Sequence, residues 1–535
     1  MRLAEIDEIF EKAPGCRVVD ELRTDESGID PVGLRQLNLD LMDDSLPGIN
    51  NVTQHVRPYT FMAWAAWKAS IVAREAGNSD PALIADLADR YEALYAWSHL
   101  IAGRPFRGAS ALKRTIGRRA DGEPFVFSGP VWDECRRSRT SFMAPTEYGP
   151  SIKSLHYIGA DSGHIADEAM PAVLDFNARV GNLLPARFFA IEAPSVTEDE
   201  IAPFAQQLPV DAPSEIEMKV FRNLFFDIGG HAASPGAAKR RKGTIDLVRG
   251  LLQREGPSSV DTIRRYFARH DLPAVYDGDP EQVAISGMLL CLLQARQLQR
   301  LATEAMLLWL ERLLSEDRIG TMYQPKTSEE IIARAHEAAA AGDLVYASSA
   351  TVGDFLLAIE IEGDTIGWPG ASSASTTDAV SMIAELIEAQ LRDVTRVPAL
   401  AARSFAIVRA VANAFEGRRP PSGLADGVEG RPDRLPMGLM ARRLEAIGDR
   451  PMRFIWKEIV ESWVIGQHVH WSAVRGSDGK KRLRIGLEGD GWMRVRRSPS
   501  RGVYEPTGDR LQTMLSLAVS CGLFSRDADG RYMVV

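Results

Sequence analysis

At 535 residues the chain is too long for one hydrophobic core, which predicts several domains. Apolar residues at 45% and charged residues at 25% exclude wholesale disorder. No run reaches the roughly 18 apolar residues of a membrane span, and the opening MRLAEIDEIFEK lacks a signal-peptide core, so no membrane partner and a cytoplasmic location are expected.

The first informative stretch is LPGINNVTQHVRPYTFMAWAAWKAS, residues 46–70. Pro58 suits the first turn of a helix, where its missing N–H costs nothing. Phe61, Met62, Trp64, Ala65, Trp67, Ile71 and Val72 then cover most of the circumference, which predicts a buried helix. Arg57 sits at the positive end of that helix and needs a carboxylate, sought among Asp40, Asp43 and Asp44. A competing reading makes His55, Arg57 and Tyr59 a site for a phosphate or a partner.

Asp80-Pro81 opens a second helix, with Leu83, Leu87, Tyr91, Leu94, Trp97 and Ile101 at helical steps. His164 with Asp167 and Glu168 reads as a helix start. Ser214 with Glu217, and Thr327 with Glu330, have capping-box spacing ahead of helices. Residues 227–243 read as an exposed loop with a basic cluster, and 363–377 as a polar loop. Between them the long apolar stretch after Asp279-Pro280 reads as a central core helix. Two more helices are expected at 376–392 and 397–416, and the Gly/Pro-rich stretch 416–436 as a linker.

Two segments point to nucleic acid. KRRKGTIDLVRGLLQREGPSSVDTIRRYFARH, 239–270, has helix-turn-helix spacing with a break at Gly256-Pro257. Lys239, Arg240, Arg241 and Lys242 could neutralise phosphates, with Arg264 and Arg265 on the second helix. KKRLRIGLEGDGWMRVRRS, 480–498, reads as a β-hairpin turning at Glu488-Gly489-Asp490-Gly491. Period-two alternation separates Leu483, Ile485, Leu487, Met493 and Val495 from a row of arginines, Arg482, Arg484, Arg494 and Arg496. Lys480 and Arg497 extend this set. The helix in GDRLQTMLSLAVSCGLF and the hairpin in SRDADGRYMVV then form what reads as the back half of a winged helix. An edge hairpin whose arginines only prevent aggregation is the alternative. The net charge of −9 opposes a uniform nucleic-acid coat, yet residues 451–535 carry fourteen Lys or Arg against nine Asp or Glu, which fits one basic surface on an acidic body.

Catalytic signatures fail. GSDGKK, 476–481, lacks the spacing of a phosphate-binding loop, and no GxGxxG is present. Cys16, Cys135, Cys291 and Cys521 lie far apart without a CxxC, which fits neither a disulfide framework nor a zinc site. His468 and His470 fall in a helical run as packing or surface residues. Asp211 and Glu217 are too close in sequence, in a helical context, for a nuclease carboxylate set. No catalytic residue, metal or cofactor is assigned.

LPGINNVTQHVRPYTFMAWAAWKA, YGPSIKSL (148–155) and DRLQTMLSLAVSCGLFSRDADGRY together resemble uncharacterised helical, winged-helix-containing proteins of bacterial anti-phage defence loci. The resemblance implies an accessory sensor or scaffold working beside an ATPase, helicase or nuclease subunit. The resulting expectation is a mainly α, multidomain protein with helix-turn-helix and winged-helix modules and a small C-terminal β component. It would divide into an N-terminal helical domain (1–230), a central one (231–415), a linker (416–436) and a winged-helix-like domain (437–535). Its expected role is a non-catalytic, duplex-DNA-binding or scaffolding subunit of a defence complex. A metal-dependent nuclease of unrecognised type and a winged-helix transcriptional regulator are the alternatives.

Overall fold

The computed structural model describes residues 30–535 except 79, 105, 107–108, 117–122, 139–140, 142–147, 156, 159–164, 230–234, 270–278, 320–321, 366–377, 416–427, 429, 431, 476–481 and 496–502. The fold is mainly α, with only short antiparallel strand pairs among the described residues. No described helix is long and apolar enough to cross a membrane.

Contacts gather the described chain into two compact units that alternate along the sequence. One takes residues 46–260, 279–283 and 508–535, and the other residues 30–45, 261–269 and 284–507. Consecutive segments, as expected from the Gly/Pro-rich breaks, do not describe this division. A chain break in composition marks where a loop is tolerated, not which pieces pack together.

The first unit is built around helix Arg57–Glu75, which packs on Pro81–Ile101 and Met170–Leu183, while Pro81–Ile101 also packs on Glu198–Gln207. Its core is aromatic. Phe61 stacks on Tyr95 at 4.4 Å between centroids, and Trp64 meets Phe176 and Phe189 edge-on at 5.3 and 5.4 Å. Trp64 is wholly buried, its indole N–H donating to Asn177 Oδ1 at 3.1 Å, whereas Trp67 is only half-buried. Ser214 caps helix Glu215–Phe226 through the predicted box: Glu217 N–H donates to the Ser214 hydroxyl at 3.2 Å, and Ser214 N–H to the Glu217 carboxylate at 2.7 Å.

The expected basic loop is a correction. Pro235–Glu255 is one helix, because Pro235 fits a helix start and the following residues are good helix formers, so the basic cluster at 239–242 is helical. The predicted break at Gly256 holds: its φ of +78° is left-handed, the conformation that ends helices and that glycine adopts without strain.

In the second unit, helix Val397–Phe415 packs on Ser328–Gly342, Met437–Ala446, Ala379–Arg392 and Val352–Thr365. The predicted cap Thr327–Glu330 is formed, and Asp378 caps Ala379–Arg392. Most of the expected loop 363–377 and of the linker 416–436 lies outside the described residues. The long helix Pro280–Leu313 is central as expected, yet it buries Gln294, Arg296, Gln297, Gln299, Arg300, Thr303, Glu304 and Glu311. Four of them, Arg296, Gln297, Gln299 and Arg300, donate to irregular backbone laid against the helix. Arg296 Nη1 and Gln299 Nε2 both donate to Leu435 C=O, at 2.8 and 2.9 Å, and Arg300 Nη2 donates to Glu505 C=O at 2.6 Å. Leu435 has a φ of +45°, so two side-chain donors hold a strained non-glycine residue in place.

Candidate functional site

The hairpin at 480–498 is present, as strands Ile485–Glu488 and Gly491–Arg494 joined through Gly489-Asp490. Gly489 has a φ of +59°, as the first central position of such a two-residue turn demands. The expected row of arginines on one face is a correction. A two-residue turn opposes odd-numbered residues on one strand to even-numbered ones on the other, so Ile485 lies opposite Arg494 and Leu487 opposite Trp492. Directly opposed residues share a face, so Arg484 and Arg494 point to opposite faces.

Both are also buried. Arg484 is 3% exposed, 3.7 Å from the Glu311 carboxylate and donating to the Tyr504 hydroxyl, and Arg494 Nη1 donates to Ser315 Oγ at 2.9 Å. Leu487, on the expected core face, is instead 63% exposed. Lys480, Arg496 and Arg497 lie outside the described residues, as does His164.

The other basic candidates are likewise sorted by burial. Lys239 and Arg265 are exposed and Arg240 is half-buried. Lys242 pairs with Asp246, and Arg264 with Asp261 at 2.7 Å. Arg241 is fully buried and offers nothing to a ligand. It donates to Phe225 C=O and Pro47 C=O, at 2.6 and 2.7 Å, and lies over the Phe225 ring. Burial lowers its pKa to about 9, against a weaker pull from Tyr59.

Two candidate modules far apart in sequence are joined. Ser258, in the turn after helix Pro235–Glu255, exchanges backbone hydrogen bonds with Tyr532 at 3.0 and 2.8 Å. Tyr532 opens strand Tyr532–Val534, which pairs antiparallel with Phe524–Arg526, and these follow helix Leu511–Ser520. The hairpin at 485–494 takes a different partner, bridging Trp492 to Lys326.

Arg57 is wholly buried and bound to Glu217, not to Asp40, Asp43 or Asp44. It is therefore closed to ligands. His55 lines a cavity of about 480 Å³ with His99, Tyr148 and the Arg104–Asp211 pair. His99 is neutral in structural terms: Val210 N–H donates to its Nε2 at 3.2 Å, so Nδ1 carries the proton to Tyr95 C=O at 2.8 Å. Burial holds its pKa down to about 4.

The chemically richest site is a cavity of about 380 Å³ lined by Arg35, Trp471, Arg475, Arg482, Arg484 and Asp30. Arg475 pairs with Asp30 at 2.8 Å, and Arg482 donates to Arg475 C=O. Trp471 forms the wall between Arg434 and Arg475, whose guanidinium carbons lie 4.0 and 5.2 Å from its ring centroid. Gly33 lets Trp471 come this close, since a Cβ there would sit 2.0 Å from the indole nitrogen. His468 fixes the backbone beneath: Arg484 N–H donates to its Nε2 at 2.9 Å, and its Nδ1 meets Pro31 C=O at 3.0 Å. His468, read from sequence as a packing or surface residue, is buried packing; Arg482 and Arg484 were singled out there for nucleic acid, whereas Arg35, Trp471 and Arg475 carry no local pattern that marks them.

Arg35 also walls a second cavity of about 310 Å³, with Arg300 and Glu304. Glu304 is 1% exposed, 3.8 Å from Arg300, and neither carboxylate oxygen has a hydrogen-bond partner among the described residues. Burial pushes its pKa up to about 7, against the pull of Arg300, Arg484 and Arg35. Among the described residues no group of three or more His, Cys, Asp or Glu side chains is placed to hold a metal ion.

These features define a helical protein of two interleaved units with an arginine-lined cavity. No protein-family model matches the chain, and no curated protein or solved structure was found to be similar to it.

Proposed function

We propose that the chain is a non-catalytic DNA-binding and scaffolding subunit of a multi-protein assembly of the kind encoded in bacterial anti-phage defence loci. The observation that carries this reading is the Ser258–Tyr532 pairing. It gives, within one unit and in chain order, helix 235–255, a one-residue strand at Ser258, helix 511–520 and a hairpin whose last strand pairs with that strand. In chain order, with helix 260–268 following Ser258, that is the sequence of elements of a winged helix with a long insertion before its third helix. Lys239 is exposed on the first helix, and Arg265 is exposed on helix 260–268, which from residue 261 belongs to the other unit.

A second reading, in which the same module docks a protein, is favoured by its charge. Helix Leu511–Ser520 carries no Lys or Arg, and Arg531 at the hairpin tip is paired with both Asp527 and Asp529 at 2.9 and 2.8 Å. Duplex-DNA affinity measured from 50 to 200 mM salt separates the two. DNA binding predicts a steep loss with salt, with the slope falling by about 0.9 for each phosphate contact removed in Lys239→Ala and Arg265→Ala. Absence of salt-dependent duplex binding removes the DNA half. Co-elution with a purified ATPase, helicase or nuclease subunit of the same locus, lost on Gln512→Asp, would then identify a docking module.

A further inference from the structure

We propose that the cavity beside His55 is a binding site for a small uncharged aromatic molecule that donates one hydrogen bond, of the phenol or indole class. The proposal stands independently of the DNA-binding reading.

The walls select an apolar body. The cavity, of about 480 Å³, falls in the range of small-ligand pockets, and the residues named here all belong to the unit that includes 46–260. Its lining is mostly apolar, with Val52 and Val210 beside the buried rings of Pro58, His99 and Tyr148. His99 serves as apolar wall although it is a histidine. Val210 N–H donates to its Nε2, and its Nδ1 donates to Tyr95 C=O, so both nitrogens are spent on backbone. Only ring carbon is left to line the cavity, with the Phe106 ring centred 4.9 Å away. Walls of this kind suit an aromatic body, and they offer nothing to offset the desolvation of a charge.

His55 selects the donor. It lies half-buried in the segment that leads into helix Arg57–Glu75, and its ring makes no hydrogen bond among the described residues. Where His99 spends both nitrogens, His55 spends neither. Burial lowers its pKa from 6.5, outweighing the pull of Asp211, so the ring is neutral at neutral pH. A neutral imidazole has one nitrogen that can only accept. A phenol O–H or an indole N–H supplies the donor it lacks. An apolar molecule without such a group would cover that nitrogen and leave it unsatisfied, at a cost. Arg104 and Asp211 hold each other at 3.0 Å with much of both side chains in solvent, which places this pair at the rim.

The test is calorimetric titration of the full chain at neutral pH with p-cresol, indole, toluene and benzoate. p-Cresol and indole should bind, and toluene, which lacks only the hydroxyl of p-cresol, should bind about tenfold more weakly. His55→Phe should bring p-cresol down to the level of toluene, while continued binding of toluene shows that the cavity is intact. Val210→Trp and Val52→Trp, which fill the space, should abolish the binding of p-cresol and indole. The comparison of p-cresol with toluene in the parent chain needs no variant, so a folding defect cannot mask it. Any of five results would overturn the proposal: no binding by p-cresol or indole, equal binding of p-cresol and toluene by the parent chain, the same preference kept in His55→Phe, undiminished binding in both filled variants, or tighter binding of benzoate than of p-cresol.

Discussion

The guanidinium of Arg57 and the carboxylate of Glu217, 160 residues apart in sequence and both fully buried, meet at 2.8 Å. The same carboxylate closes the cap of helix Glu215–Phe226, and Pro209 C=O takes a further Arg57 N–H at 2.6 Å. One side chain thus ends a helix and neutralises a buried cation. Arg57→Ala should therefore cost up to about 3–5 kcal/mol, since the buried Glu217 would keep only the longer Arg179 contact at 3.5 Å. Glu217→Ala should cost at least as much, because it also removes the cap. Denaturant unfolding of the two single variants and the double variant checks this; strictly additive losses would show that the pair is not coupled.

Trp64→Ala should cost about 3–5 kcal/mol, since its ring is enclosed by aromatic neighbours and its N–H is bonded. Trp67→Ala should cost clearly less, because that residue is only partly buried. Equal losses in thermal unfolding would contradict this assignment of the helix faces.

His99 and His468 share one arrangement: each accepts a backbone N–H at Nε2 and donates from Nδ1 to a carbonyl. Burial lowers both pKa values to about 4, so each neutral ring is favoured in the folded state. Depressed basic groups make the unfolded chain bind more protons between the two pKa values. Stability should then be intact above pH 6.5 and fall as pH drops toward 4, by on the order of 3 kcal/mol for each ring. Imidazole resonances followed by NMR should titrate near 4, and titration of either near 6.5 would count against the buried geometry.

Glu304 has the opposite sign. Its pKa is raised to about 7, so the folded state favours the protonated acid. The associated stability is full below the ordinary carboxylate value of 4.5 and is lost as pH rises through 7. Glu304→Gln should match the parent near pH 4.5 and exceed it at pH 8, as read from unfolding midpoints. A gain that is the same at both pH values would mean that ionisation of Glu304 is not its source.

Local chemistry was legible where one helix turn suffices. The Ser214–Glu217 and Thr327–Glu330 caps, Gly256 at a helix end and the Gly489-Asp490 turn all follow from neighbours in sequence. Pairings across the chain were not. Arg57 was expected to find a nearby aspartate because proximity in sequence was the only guide, yet Glu217 also met a local need as a cap. The hairpin shows a subtler limit. Alternation tells which residues of one strand share a face, but register decides how two strands combine, and tertiary cover decides which face is wet. Arg484 and Arg494 were thus identified as special for charge when their surroundings make them interior residues. The polar stripe of helix Pro280–Leu313 was hidden in an apolar average, because its partners are the carbonyls of distant segments.

The interleaved path bears on how the protein is made. Strand Tyr532–Val534 completes its ladder with Ser258, so the unit that begins at residue 46 cannot close until the ribosome has released residues 508–535. Throughout synthesis of the intervening segments, the aromatic half would wait with the Ser258 edge uncovered. Nascent chains arrested before residue 508 should accordingly be held by chaperones and cut readily by proteases in the 235–260 region. Chains that have passed residue 535 should resist both.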